Sequence, residues 1–359
     1  HQSIYNLLPS SRLPKLALIW FVMMFSLFAS KGYSAHQKGV EILYQCLGGT
    51  QYEITVMFYH DCTNGIGAPS ENNISTGNRF TYSNNCSQPS PAKSFKLINP
   101  GGTEISQVCP TATTSCDNPS TYDVEGVNLY IYRDTVSLAA SCTWDLAFQL
   151  CCRDAQNNVQ GSPVFFVNSQ IKTVNSACNS SPILTAEPAP YVCTNTPFIL
   201  SLGAFDPDGD SLTFQFVEGK SAATSIVTYA GLFLFDEPID SITPYAPNLN
   251  INPNNGDISI YPKTAGKYMI VVQINEYDRN TKLLKGFVKR DFSVSVVNCA
   301  SNSAPSVKAV GVKNINSFGS IEDSTTINTL PINGTLCFDL EFEDLDASDT
   351  LSITSNISA

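Results

Sequence analysis

An all-β, disulfide-containing fold is what this sequence predicts, on three observations. Charged residues fill 14% of the 359 positions, below the roughly 25% of an average soluble domain. Ser, Thr, Asn, Gly and Pro take up the difference, and these residues compete with the helical backbone or break it. Short runs of alternating apolar and polar residues recur, while no long stretch of helical periodicity follows Phe28. Twelve cysteines stand behind a leader-like N-terminus, a combination that suits an oxidising compartment.

The leader comes first. Arg12 and Lys15 supply a positive region, residues 16–28 an apolar one, and Gly32 and Ser34 the small residues of a cleavage site before Ala35. A membrane anchor is the competing reading, but the 13-residue apolar run falls short of the ~20 needed to span a bilayer. Residues 1–34 are therefore expected to be a signal peptide with upstream residues. The mature protein is expected at the cell surface or outside it, without membrane insertion. His1 at the start and a strand-like pattern in the last residues, 351–359, read as a fragment of a longer chain.

A Cys-rich N-terminal β domain is expected over residues 35–178. It opens with a hairpin of arms 40–46 and 51–59, in whose second arm Tyr52, Ile54, Val56 and Phe58 share one face. Further strands are expected at 94–98, 127–132, 142–150, 164–167 and 170–174, with turn-rich stretches at 64–73 and 83–91. Cys178 to Pro182 reads as a boundary. Beyond it, strands at 197–203, 212–217, 257–261, 267–274 and 287–297, spaced by Gly, Pro and Asn, predict an Ig-like or cadherin-like β-sandwich repeat over 179–300.

A second, truncated copy of that repeat is expected over 301–359. Asn179-Ser-Ser-Pro-Ile-Leu184 matches Asn302-Ser-Ala-Pro-Ser-Val307, and residues 204–213 match 342–352 with one inserted position. Tandem copies suggest a stalk or array.

The acidic residues Asp206, Asp208 and Asp210, echoed by Asp344, Asp346 and Asp349, are the strongest candidates for chemistry. Alternate carboxylates after a strand can converge on one hard cation, and Ca²⁺ takes about six to eight oxygens. Glu276 and Asp278, in the expected turn 275–279, are candidates to complete the set. The glycine and the twelfth position do not fit an EF-hand. The alternative is a solvated Asp/Gly turn between strands. The net charge of −11 divides into +3 for the first 35 residues, −4 for 36–178 and −10 for 179–359. That balance argues against nucleic acid and anionic lipid as partners.

The disulfide candidates are Cys46, Cys62, Cys86, Cys109, Cys116, Cys142, Cys151, Cys152, Cys178, Cys193 and Cys299. No C-x-x-C occurs and only three histidines exist, so a zinc cluster has little support. Adjacent Cys151 and Cys152 are expected to reach different partners, because bonding each other strains the backbone. Nine cysteines between Cys46 and Cys178 leave one to stay free or to pair outside, with Cys193 or Cys299 nearest. His60 and Asp61 read as a surface or capping pair rather than a hydrolase site, since no nucleophile elbow or H-E-x-x-H accompanies them.

The stretch from Ala35 to Cys62 resembles the opening of large secreted surface proteins of Bacteroidota, described as gliding-motility-associated or PKD-domain-containing proteins. Ala35, His36, Tyr44, Cys46, the Gln51–Ile54 run, Asp61 and Cys62 carry the likeness, with the Cys151-Cys152-Arg153 and Asn179–Pro182 stretches and residues 206–212 behind them. Lys38-Gly39-Val40 replaces the family's Gly-Gly pair, and His60 stands where Arg is usual. Residues 204–297 resemble cadherin-like or PKD-like repeats more loosely. The resemblance implies export by the type IX route and a sorting domain beyond Ala359.

The function expected is that of a non-catalytic cell-surface adhesion or structural protein with Ca²⁺-stiffened repeats, its glycan or protein ligand unidentified. The alternative is the carbohydrate-binding forepart of a secreted hydrolase whose catalytic domain lies elsewhere.

Overall fold

The structure is a computed structural model that describes residues 37–64, 69–108, 112–173, 178–188, 191–241, 249–299, 306–314 and 336–343. The leader and Asp344, Asp346 and Asp349 lie outside the described residues.

The fold is all-β. β1 (Gln37–Gly48) and β2 (Gln51–Asp61) form the expected hairpin. Its turn requires left-handed backbone at Gly48 (φ 118°) and Gly49 (φ 60°), which glycine adopts without steric cost. On β2, Tyr52, Ile54, Val56 and Phe58 are all buried, as the alternation predicts. A single helical turn, α1 (Glu71–Ser75), capped by Ser70, leads to β3 (Phe80–Asn84), β4 (Lys96–Leu97) and β5 (Thr103–Glu104). The long strands β6 (Val127–Ser137), β7 (Thr143–Leu150) and β8 (Phe165–Lys172) follow, β8 merging two expected strands into one.

Short strands come next: β9 (Ile183–Leu184), β10 (Tyr191–Cys193), β11 (Phe198–Leu200), β12 (Ala204–Phe205), β13 (Ser211–Phe216), β14 (Lys220–Ala222), β15 (Ser225–Ile226), β16 (Asn250–Ile251) and β17 (Ile258–Ile260). The hairpin of β18 (Gly266–Tyr277) and β19 (Leu284–Val297) is the longest, and β20 (Ser306–Asn314) pairs with β21 (Leu336–Glu343).

A 14-stranded, mostly antiparallel sheet carries the order β15-β14-β8-β19-β1-β2-β6-β4, with β7 joined to β8 and β18 to β19. It curls over one core in which Val40, Ile42, Phe58, Trp144, Phe148, Ile270 and Phe292 are all buried.

The division expected after Cys178 is not respected by the hydrogen bonding. β1 lies between β2 and β19, so the first described strand pairs with a strand far beyond the supposed boundary. The segment read as the boundary is buried, with Asn179 1% and Ser181 2% exposed. The Ser181 amide donates to the Tyr44 carbonyl at 2.7 Å, and the Tyr44 amide to Ser181 Oγ at 3.0 Å. Gly39 shows how close β1 and β19 run: a Cβ there would meet the Asp291 carbonyl at 2.6 Å.

The repeated segments share one pairing register. Ile183 faces Phe205 and Leu184 faces Ala204 in β9 and β12; their sequence counterparts Ser306 and Val307 face Glu343 and Phe342 in β20 and β21.

Several charges buried in the sheet are paired. Glu41 of β1 and Arg290 of β19 are direct cross-strand partners, joined by bonds of 2.9 and 3.0 Å, and the Tyr59 hydroxyl donates to the same carboxylate. Asp291, pointing to the opposite face, takes the Arg153 guanidinium at 2.7 and 2.5 Å. Among the described residues five disulfides form: Cys46–Cys178, Cys62–Cys116, Cys86–Cys142, Cys193–Cys299 and Cys151–Cys152.

Two disulfide expectations are corrected. Cys151 and Cys152 bond each other across a cis peptide that brings their Cα atoms to 3.1 Å, rather than reaching separate partners. Cys193 and Cys299 bond each other, so neither takes the odd cysteine of the N-terminal region. That cysteine is Cys109, outside the described residues.

Removing Glu41 leaves Arg290 buried without its carboxylate, so Glu41→Ala is expected to cost about 3–5 kcal/mol in urea denaturation. Lys289, also buried, is brought down to about 8 by burial, with the charge of Lys220 adding to it. Its folded value lies below the unfolded one of about 10.4, so the unfolded chain holds the extra proton between them and stability rises with pH across that window. Lys289→Met is expected to gain about 1–3 kcal/mol at pH 7 over the parent, and the gap should close as pH passes from about 8 to 10.4. Denaturation midpoints at pH 7, 9 and 10.5 check it.

Candidate functional site

The loop between β12 and β13 builds itself from its first aspartate. Asp206 Oδ1 accepts the amides of Asp208 at 2.9 Å and Asp210 at 3.0 Å, and the Gly209 amide donates to the Asp206 carbonyl at 3.2 Å. Asp and Gly suit such turns for these backbone reasons alone. The other oxygen, Asp206 Oδ2, is buried and has no hydrogen-bond partner.

Pairing of β13 with β18 then sets Leu212 opposite Glu276, which brings the glutamate under the loop. Glu276 is fully buried. Its Oε2 accepts the Tyr44 hydroxyl at 3.4 Å, and its Oε1 has no partner. Burial, reinforced by the charge of Asp206, pushes Glu276 up to about 9. Burial likewise raises Asp206 above the usual carboxylate range, although the two amides it accepts work the other way.

Carboxylate oxygens of Asp206, Asp210 and Glu276 all lie within 4.8 Å of one another. Asn179 completes the wall. Its side chain lies close enough to the Glu276 carboxyl and the Tyr44 hydroxyl to work against the rise that burial imposes on both, although neither Oδ1 nor Nδ2 meets full hydrogen-bond geometry. The ammonium of Lys285 sits 2.5 Å from Asp210 Oδ2. Three carboxylates, an amide oxygen and a phenol from four separate stretches of chain thus converge, with several buried oxygens unsatisfied. Such an oxygen set suits a hard divalent cation.

The other sequence candidates go elsewhere. Asp208 Oδ2 accepts the Ser180 amide at 2.5 Å, tying the loop to the segment after Cys178. Asp278 is half-buried and caps the β18–β19 turn, accepting the Asn280 and Thr281 amides at 3.0 and 2.6 Å and the Thr281 hydroxyl at 2.9 Å. Those Thr281 bonds hold it below the usual carboxylate range. Asn179, Tyr44 and Lys285 were not legible as site residues, although Asn179 recurs as Asn302 in the repeat.

His60 and Asp61 are buried rather than on the surface. Asp61 does cap, accepting the Thr63 amide at 2.7 Å, and the His60 ring lies 5.8 Å from that of Phe58. Asp61 also belongs to a second acidic group with Glu125 and Asp154. Two lysines fill that group: Lys38 reaches Glu125 at 2.7 Å and Asp154 at 3.3 Å, and Lys267 reaches them at 2.6 and 2.7 Å. Lys38, which departs from the family resemblance, is the hub of this cluster.

No family model matches the chain, and no curated protein matches it. No helix among the described residues is long and apolar enough to cross a membrane.

An unsatisfied buried amide costs about 1–3 kcal/mol, which its removal gives back. Asn179→Ala in metal-free protein is therefore expected to stay within about 1 kcal/mol of the parent in urea denaturation, where truncating a hydrogen-bonded asparagine would cost more.

Proposed function

We propose that this chain belongs to an extracellular, non-catalytic cell-surface protein of adhesive or structural role, stiffened by Ca²⁺ held at Asp206, Asp210, Glu276 and Asn179. The observation that carries this reading is the set of buried, unpartnered oxygens on Asp206, Glu276 and Asn179, which lack a partner that a divalent ion would provide. Five paired disulfides favour the same setting, because such bonds persist where thiols oxidise and where millimolar calcium is also at hand.

The position of the site favours stiffening over signalling. Tyr44 comes from the first strand, Asn179 from the stretch behind the Cys46–Cys178 bond, and Glu276 from the long C-terminal hairpin. An ion among them ties three distant parts of the chain together. Display by the type IX route, as the resemblance of residues 35–62 implies, would place the module on the outer face of the cell.

Extracellular calcium modules bind with Kd on the order of 10⁻⁴–10⁻³ M. Calcium at ~2 mM is then expected to add about 0.6–1.8 kcal/mol of stability and raise the melting temperature of the full chain by a few degrees over an EDTA-treated sample. Equal melts would remove the calcium reading. Beads coated with the chain should adhere to surfaces in calcium and release in EDTA; binding to a glycan array with no such dependence would favour the carbohydrate-binding forepart instead.

A further inference from the structure

Lys285 has no place in an ordinary account of the hairpin. Along β18 and β19 the register runs Glu276 to Gly286 and then Tyr277 to Leu284, so Lys285 is the extra residue of a β-bulge. A bulge re-aims the side chain it carries. Here it directs the ammonium to Asp210 Oδ2, 2.5 Å away, with the lysine side chain 19% exposed. Burial opposes the charge on Lys285, but Asp210, and behind it Glu276 and Asp208, outweigh that and hold the lysine above its ordinary value.

The ammonium fills the acidic group only in part. It satisfies Asp210 and leaves Asp206 Oδ2, Glu276 Oε1 and both polar atoms of Asn179 without partners, Asn179 being 1% exposed and set against Glu276. A divalent ion at coordination distance from Asp210, about 2.4 Å, would stand within ~5 Å of an ammonium left in place, and two cations that close repel strongly in a partly dry site.

Resting on the calcium reading above, we infer that Lys285 is a tethered competitor of the ion: its ammonium occupies the Asp210 side of the site in the metal-free protein and must swing out to solvent when Ca²⁺ binds. The lysine stem leaves β19 beside the hairpin turn that Asp278 caps, so its exit requires no change in the sheet. The consequence is a threshold. Each binding event breaks a charge-assisted bond to Asp210, which lowers affinity and reserves loading for compartments rich in calcium.

Calorimetric titration of Ca²⁺ into the full chain, its Lys285→Met variant and its Lys285→Gln variant tests this. Both variants are expected to bind about tenfold more tightly than the parent, the equivalent of one lost charge-assisted bond of about 1.4 kcal/mol. In the parent, acetylation of Lys285 by an amine-reactive ester, read by mass spectrometry, should rise several-fold on saturation with Ca²⁺. That readout decides the matter even where a variant does not fold. Parent binding that neither variant strengthens, or Lys285 acetylation indifferent to bound Ca²⁺, overturns the competitor role and leaves the calcium reading standing. Absence of Ca²⁺ binding in parent and folded variants alike overturns both.

Discussion

Glu41 and Arg290 face one another across β1 and β19, 249 residues apart in sequence, and the rest of the sheet is arranged around that contact. Burying two charges is expensive, and the cost is recovered only when geometry is good and every remaining donor is used. Here the guanidinium takes both carboxylate oxygens and the Ala186 carbonyl, and the carboxylate also takes the Tyr59 hydroxyl. A register slip of one residue would turn both charges to the wrong faces. The pair therefore acts less as a source of stability than as a lock on which residues of β1 and β19 meet. The neighbouring Arg153–Asp291 pair does the same on the opposite face, and the lysine-filled cluster at Asp61, Glu125 and Asp154 holds the end of the sheet.

The candidate cation site lies downstream of that lock. Tyr44 is placed by β1, Glu276 by β18 through its pairing with β13, and Lys285 by a bulge in β19. Asn179 is delivered by the Cys46–Cys178 bond and by the Ser181–Tyr44 hydrogen bonds. Only the aspartate loop is locally determined. The rest of the site exists because strands remote in sequence are held side by side, which makes its geometry a property of the whole sheet.

How much of this was legible follows from the range of the interactions. The β2 face was readable because period-two alternation is written in adjacent residues, and the Asp206 loop because its motif recurs at Asp344. The same recurrence foreshadowed the shared register of β9–β12 and β20–β21. The place of β1 was not readable: Lys38 and Glu41 look like surface charges until their partners, far along the chain, are known. Asp278 looked like a ligand because it stands two residues from Glu276, but β18 ends at Tyr277 and the following turn claims the Asp278 carboxylate. Lys285 was hidden for a related reason, since a bulge alters the alternation from which facing is inferred. Composition announced disulfides, but the partners of Cys151, Cys152, Cys193 and Cys299 depended on backbone placement that spacing does not encode.

The central position of β1 bears on how the polypeptide reaches its shape. Emerging well before β19, Gln37–Gly48 can zip to β2 at once, but its other edge stays raw until residues 284–297 have been made and delivered. High contact order of this kind slows closure and leaves a sticky strand edge exposed meanwhile. A nascent chain of this topology carries that open edge until residues 284–297 are in place. Cutting it at Cys178 would yield a half with an open seam rather than a smaller folded unit.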